Sequence, residues 1–153
     1  MGLLGLQKKN PKFYQGYYKP IFPEKYIGKG PIVYRSGLEL KFMRWCDNSN
    51  NVLKWSSESI PIPYYDSIQK KKRNYYVDNY VEIMEGKILK KYLVEIKPYK
   101  QTIEPKTQGK KKSNLLYEQL MWVNNNSDKW PAAKEFAKKH GMEFIIITEK
   151  DLN

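Results

Sequence analysis

From Val33 onward the hydrophobic and polar positions fall into recognisable periods. Leu38, Phe42 and Trp45 recur three and four residues apart, the stripe of an amphipathic helix. Ahead of them Ser36-Gly37-Leu38-Glu39 has the form of a capping box, in which Ser36 closes on the Glu39 amide and Glu39 reaches back to that of Ser36. A helix is predicted over 36–47. After the polar turn 48–51, Val52-Leu53-Lys54-Trp55 reads as a strand. Ile60-Pro61-Ile62-Pro63-Tyr64 reads as an edge or irregular strand, because proline withholds a ladder donor. A basic tip follows at 69–73, and the Tyr-, Val- and Ile-rich stretch 75–83 reads as one strand. Glu85-Gly86-Lys87 supplies a hairpin turn, and 88–97 returns antiparallel.

Residues 99–112 form a lysine-rich loop containing Pro105 and Gly109. Leu115, Leu116, Leu120 and Val123 predict an amphipathic helix over 113–124. A second helix begins at 128, with Ser127 or Asp128 as cap and Pro131 in its first turn, and stops at Gly141. Phe144-Ile145-Ile146-Ile147 is a continuous apolar run, hence a buried strand. A helical crossover precedes it, so it should lie parallel to the strand ending at Lys97. The order is helix, three-stranded meander, helices, strand: an α/β domain with a central mixed sheet flanked by helices, over 32–153. Residues 1–31 show no sustained period from Gln7 on and are rich in Lys, Pro, Gly and Tyr, so an extended basic arm is expected. Tyr14, Tyr17, Tyr18 and Tyr26 in it are expected to pack on the domain, the alternative being stacking on unpaired bases. Met1–Leu6 is too short an apolar run for a secretory signal.

Charge narrows the function. Among 153 residues, 28 Lys+Arg against 16 Asp+Glu leave +12, which calls for a polyanionic partner. Cys46 and His140 are single representatives, excluding a disulfide framework, a Cys/His zinc cluster and a Ser-His-Asp triad. Metal chemistry, if present, falls to carboxylates, whose hard oxygens select Mg²⁺ or Mn²⁺. No apolar run is long enough for a membrane span.

The chemistry concentrates in Asp78 and Glu95-Ile96-Lys97. Alternate strand residues share a face, so Glu95 and Lys97 project together while Val94 and Ile96 point the other way. Asp78, on the preceding strand, can face Glu95. Two carboxylates that close repel unless a cation lies between them. Such a cation would polarise a scissile phosphate, and Lys97 would hold the developing charge. The bland alternatives are a solvated Asp78 and a surface Glu95–Lys97 pair. The lysine clusters Lys70, Lys71, Lys72, Arg73 and Lys110, Lys111, Lys112, with Lys100, are either solvated tips or phosphate contacts.

This pattern resembles the PD-(D/E)XK nuclease superfamily, whose restriction-endonuclease-like core has the same order of elements. Val77 stands where the motif has proline. The resemblance implies metal binding by Asp78 and Glu95, with Glu39 on the first helix completing the site and Gln119 on a later helix assisting catalysis. For Glu39 the capping box, or a pair with Arg35, is the competing account. Further, Tyr34-Arg35-Ser36, Phe42, Cys46-Asp47, Trp55-Ser56-Ser57-Glu58, Ile62-Pro63-Tyr64, Glu95-Ile96-Lys97-Pro98 with Lys100-Gln101-Thr102, and Thr148-Glu149-Lys150 look like the head completion nucleases of contractile-tailed phages. Transposon-end-cutting endonucleases are a more distant likeness. The resemblance implies an endo- and exonuclease of double-stranded DNA that works late in virion assembly, joining filled heads to tails. It would meet head or neck proteins in the host cytoplasm or within the virion. A non-catalytic DNA-binding head plug, using the same charge, is the rival expectation.

Overall fold

A computed structural model describes residues 15–152. Strands β1 (Gly16–Tyr18) and β2 (Ile32–Tyr34) pair antiparallel, and α1 (Gly37–Asn48) follows. Next come β3 (Val52–Ser57), β4 (Pro61–Asp66), β5 (Lys71–Tyr76), β6 (Asn79–Glu85) and β7 (Ile88–Ile96). Helix α2 (Lys112–Val123) runs through a π-helical segment, Asn124–Lys129, into α3 (Trp130–Lys139), and β8 (Glu143–Ile147) closes the chain. The central sheet has the order β3-β6-β7-β8 and is antiparallel except for the parallel β7–β8 edge. The mixed sheet and its helical crossover are those expected from the pattern.

Strand alternation sorts the core into two layers. Val81, Val94 and Ile96 face Leu40, Phe42, Met43 and Cys46 of α1, with Trp55 and the β2 residues Ile32 and Tyr34. On the other face, Leu93 and Phe144 meet Trp130, Ala133 and Ala137 of α3 and Ile62, Tyr64 and Tyr75 of the β4–β5 hairpin. Each fully buried large side chain contributes about 1.5–3 kcal/mol. Ala133 and Ala137, one helical turn apart, let α3 approach the sheet closely.

Three expectations need correction. The stretch 75–83 is two strands: β5 pairs with β4 in a separate two-stranded sheet and β6 enters the central one, with Val77 and Asp78 between them. Pro61 and Pro63 are tolerated because a two-stranded ribbon leaves outer edges unpaired. The polar run near 124–127 does not separate two helices, since the backbone widens into a π segment and continues. Asp128 is therefore no cap; its carboxylate accepts the Ser67 amide and hydroxyl, both at 2.9 Å. Finally, α2 buries no residue: Leu116, Leu120 and Val123 remain exposed.

The described part of the arm, 15–31, lies on α1 and β3. Asp47, fully buried, accepts the Tyr18 hydroxyl at 2.5 Å and the Ile21 and Phe22 amides at 2.7 and 3.0 Å. Lys25 Nζ donates to the carbonyls of Cys46, Asp47 and Ser49, satisfying and electrostatically complementing the C-terminus of α1. Tyr26 packs edge-on against Trp55 with ring centroids 4.7 Å apart, whereas Tyr17 is exposed. Tyr14 and Met1–Leu6 lie outside the described residues.

Candidate active site

The register of the central sheet assembles the acidic groups. β3 and β6 pair through Ser57↔Asn79, and β6 and β7 through Asn79↔Val94. One step further, the same pairing sets Glu58, Asp78 and Glu95 in a row across three strand ends. Hydrogen bonds continue through this row: the Glu58 amide donates to the Asp78 carbonyl at 3.0 Å, and the Ile96 amide to Asp78 Oδ2 at 2.7 Å. Asn79, fully buried beside them, ties β6 to β3 through its amide bond to the Ser56 carbonyl at 3.3 Å.

Glu39 enters from the first turn of α1. Ser36 Oγ accepts its amide at 3.0 Å, as the capping box predicts. The return contact differs, because the Glu39 carboxylate accepts the Arg35 amide at 3.2 Å and the Ser36 hydroxyl at 3.3 Å. Burial raises the Glu39 pKa, and the Glu58 charge adds to the rise against those two hydrogen bonds. Asp78 is raised well above the usual carboxylate range, first by burial and then by the charges of Glu95 and Glu39; the Ile96 amide and Lys97 oppose this.

Glu95 is buried. Lys97 Nζ stands 3.7 Å from its Oε2, while Oε1 meets no donor in hydrogen-bond geometry. The Tyr75 hydroxyl lies against Glu95 and the Trp130 indole, and it too is buried without a well-formed bond, as is the indole N–H. A buried carboxylate oxygen with an unfilled valence, within a cluster of like charges, is the chemistry of a cation site. Among the described residues, no three carboxylate, thiol or imidazole groups converge as a ready-made cage. Glu39, Asp78 and Glu95 share one field without meeting at a single point, and their carboxylate oxygens are the hard donors that divalent cations take.

The remaining candidates are placed unequally. Gln119 is exposed on α2, and no contact brings it to the carboxylates. Lys70, Lys71 and Lys72 are exposed at and beside the tip of the β4–β5 hairpin; Arg73 sits 4.0 Å from Asp66 and donates to Gln69. Lys110 is paired with Glu118 at 2.8 Å, and Lys111 and Lys112 are exposed at the start of α2. Lys100 lines a cleft of about 670 Å³ between the 99–110 segment and α2, together with Tyr99, Ile103, Tyr117 and Trp122. This cleft opens just beyond Lys97 and does not contain the carboxylates.

Sequence reasoning gave no role to three groups near the site. Glu58 adopts a left-handed backbone, φ +48°, and its carboxylate pairs with Arg35. Its place one residue past β3 was the available signal. Tyr75 and Lys129 carried none, since the packing of the π segment on β4 and of the β4–β5 hairpin around Leu93 brings them in.

A row of partly buried acids with a lysine beside it at the ends of a mixed sheet is the arrangement of a nuclease. The TnsA-like endonuclease N-terminal family matches residues 49–149, and the chain belongs to it. It is similar to the head completion nuclease of Enterobacteria phage T4, 36% identical over 146 residues covering 91% of this chain and 93% of that protein. The restriction-endonuclease-like fold and the nuclease class expected from the sequence stand on these matches.

Proposed function

We propose that this chain is a divalent-metal-dependent deoxyribonuclease of phage head completion, acting on double-stranded DNA as heads are finished and joined to tails. The similarity to a head completion nuclease supports the biological setting. The observation that carries the chemistry is the Asp78–Glu95 pair with Lys97 beside it. The work would fall in the host cytoplasm during assembly or in the virion, beside head or neck proteins.

Asp78 and Glu95 would hold Mg²⁺ or Mn²⁺, with Glu39 as a third carboxylate. The ion would supply Lewis-acid charge to the scissile phosphate and acidify a water. The residues provide the rest. Lys97, anchored at its amide by the Ile147 carbonyl at 3.0 Å, presents its ammonium to the phosphoryl oxygens as charge builds there. Glu95 keeps Lys97 in place through Oε2. The Ile96 amide fixes one Asp78 oxygen, leaving the other available to the ion.

Incubation with supercoiled and linear duplexes tests the proposal. Cleavage is expected with Mg²⁺, none with EDTA, and a loss of about 1,000-fold in Glu95→Gln. Full activity of that variant would sink the site. Persistent DNA binding with no cleavage under any divalent ion would favour the non-catalytic head plug.

The exposed lysines of the β4–β5 hairpin are the proposed duplex contacts. Lys70→Gln, Lys71→Gln and Lys72→Gln combined should flatten the slope of log binding constant against log salt by about 0.9 for each phosphate no longer neutralised. Stability should change by less than about 0.5 kcal/mol per position. An unchanged slope in fluorescence-anisotropy titrations would remove the hairpin from the interface.

A further inference from the structure

We propose that Lys129 is a second cation of the nuclease site, seated on Tyr75 and holding a phosphate oxygen of the bound strand beside Lys97. This rests on the DNA-nuclease reading above and adds a positioning residue that neither the motif nor the lysine clusters mark.

Lys129 ends the six-residue π segment Asn124–Lys129. Such wide turns are rare and recur at functional sites, because the extra residue moves a side chain off the helical stripe. Lys129 is anchored on both sides. Asp128 is bound to Ser67 at the end of β4, and Trp130 is buried in the core. Lys129 is thus fixed over the face of the sheet that carries Glu95.

Its ammonium lies 5.4 Å from the Tyr75 ring centroid, a cation–π seat. The hydroxyl of the same tyrosine lies against Glu95. The charged groups around Lys129 are Glu95, Asp66, Lys97 and Arg73. Glu95 faces Lys97 through Oε2 and keeps Oε1 without a donor, while Asp66 is held by Arg73 and the amides of Ile68 and Gln69. Among the described residues no carboxylate is in ion-pair contact with Lys129. A half-buried ammonium beside two other cations lacks an anion, and burial accordingly lowers its pKa. An incoming phosphate supplies that anion. The three cations Arg73, Lys129 and Lys97 then lie along a path from the hairpin to the carboxylate row.

Lys129→Met tests this, since it keeps an aliphatic stem on Tyr75 and removes the charge. Lys129→Gln serves in its place if the methionine variant melts early, and Lys129→Arg keeps the charge. Binding to a short duplex is titrated against salt in EDTA, where no cleavage intervenes, and single-turnover cleavage is followed in Mg²⁺. The uncharged variants should lose about 0.9 from the salt slope. They should also cleave about 100-fold more slowly, while Lys129→Arg retains the slope. A native slope and rate in the uncharged variant overturns the proposal. If the unmodified protein fails to cleave DNA at all, the nuclease reading falls, and the salt slope still decides whether Lys129 touches phosphate.

Discussion

At pH 8 and without divalent ions, Asp78→Asn should melt at a higher temperature than the unsubstituted protein, and with Mg²⁺ it should cleave DNA about 1,000-fold more slowly. Both effects have one cause. Burial and the charges of Glu95 and Glu39 raise the Asp78 pKa in the fold. The folded state therefore binds a proton that the unfolded chain releases from about pH 4 upward. The linkage sign follows: stability falls as pH rises from that unfolded value through the folded one, and the cost is complete above it. Asparagine removes the cost and keeps an oxygen for the Ile96 amide, a net gain in stability. For a chain of this size each kcal/mol gained is about 2–4 °C. Melting curves from pH 3 to 9 check it. The gain should vanish below about pH 4, where aspartic acid is protonated in both states. A variant that melts lower at pH 8 would mean that the carboxylate is stabilised in place, and the idea of a site under electrostatic stress would go. Adding Mg²⁺ should stabilise the unsubstituted protein and leave Asp78→Asn nearly unmoved.

Asp47→Ala should cost about 3–5 kcal/mol, the largest stability loss expected of any single polar substitution here. Asp47 is fully buried and receives three donors from the arm, the Tyr18 hydroxyl and the amides of Ile21 and Phe22. Alanine leaves these donors without an acceptor, and an unsatisfied buried donor costs about 1–3 kcal/mol. It also leaves Lys25, bonded to the carbonyls at the end of α1, without its nearby counter-charge. Urea unfolding measures the loss, and limited trypsin digestion should cut after Lys25 before the body of the domain. A loss under about 1 kcal/mol, with the arm still protected, would mean that these bonds do not hold the arm to α1.

What could be read from the chain depended on whether the determining contacts were local. The α1 cap, the Gly86 turn and the alternation of Val94, Glu95, Ile96 and Lys97 are short-range, and each appears at its expected place. The parallel β7–β8 pairing followed from crossover geometry. The break at Val77–Asp78 was invisible because both strands draw on the same Tyr and Val residues; only their partners differ, β4 for one and β3 and β7 for the other. The π segment was concealed by Asn124–Ser127, residues that usually mark a loop. Its continuation depends on tertiary anchors, the buried Asn125 and the Asp128–Ser67 bonds. The juxtaposition of Asp78, Glu95 and Lys97 was legible from the hairpin and strand parity. Glu58, Tyr75 and Lys129 come from elements brought together only by folding. Gln119 was assigned by analogy of position alone, and it is exposed on α2, which buries no residue.

The Gly86 turn lies at the far end of the β6–β7 ribbon, about 26 Å of strand from Asp78. Its positive φ, +65°, permits the tight loop between Glu85 and Ile88, and that loop fixes which residues face one another along the whole ladder. A slip of one position would set Val77 or Asn79 opposite Glu95 and turn the alternate side chains to the wrong face. A glycine far from the carboxylates thereby acts as the ruler of the candidate site, because the closing of one local hairpin decides that Asp78 meets Glu95.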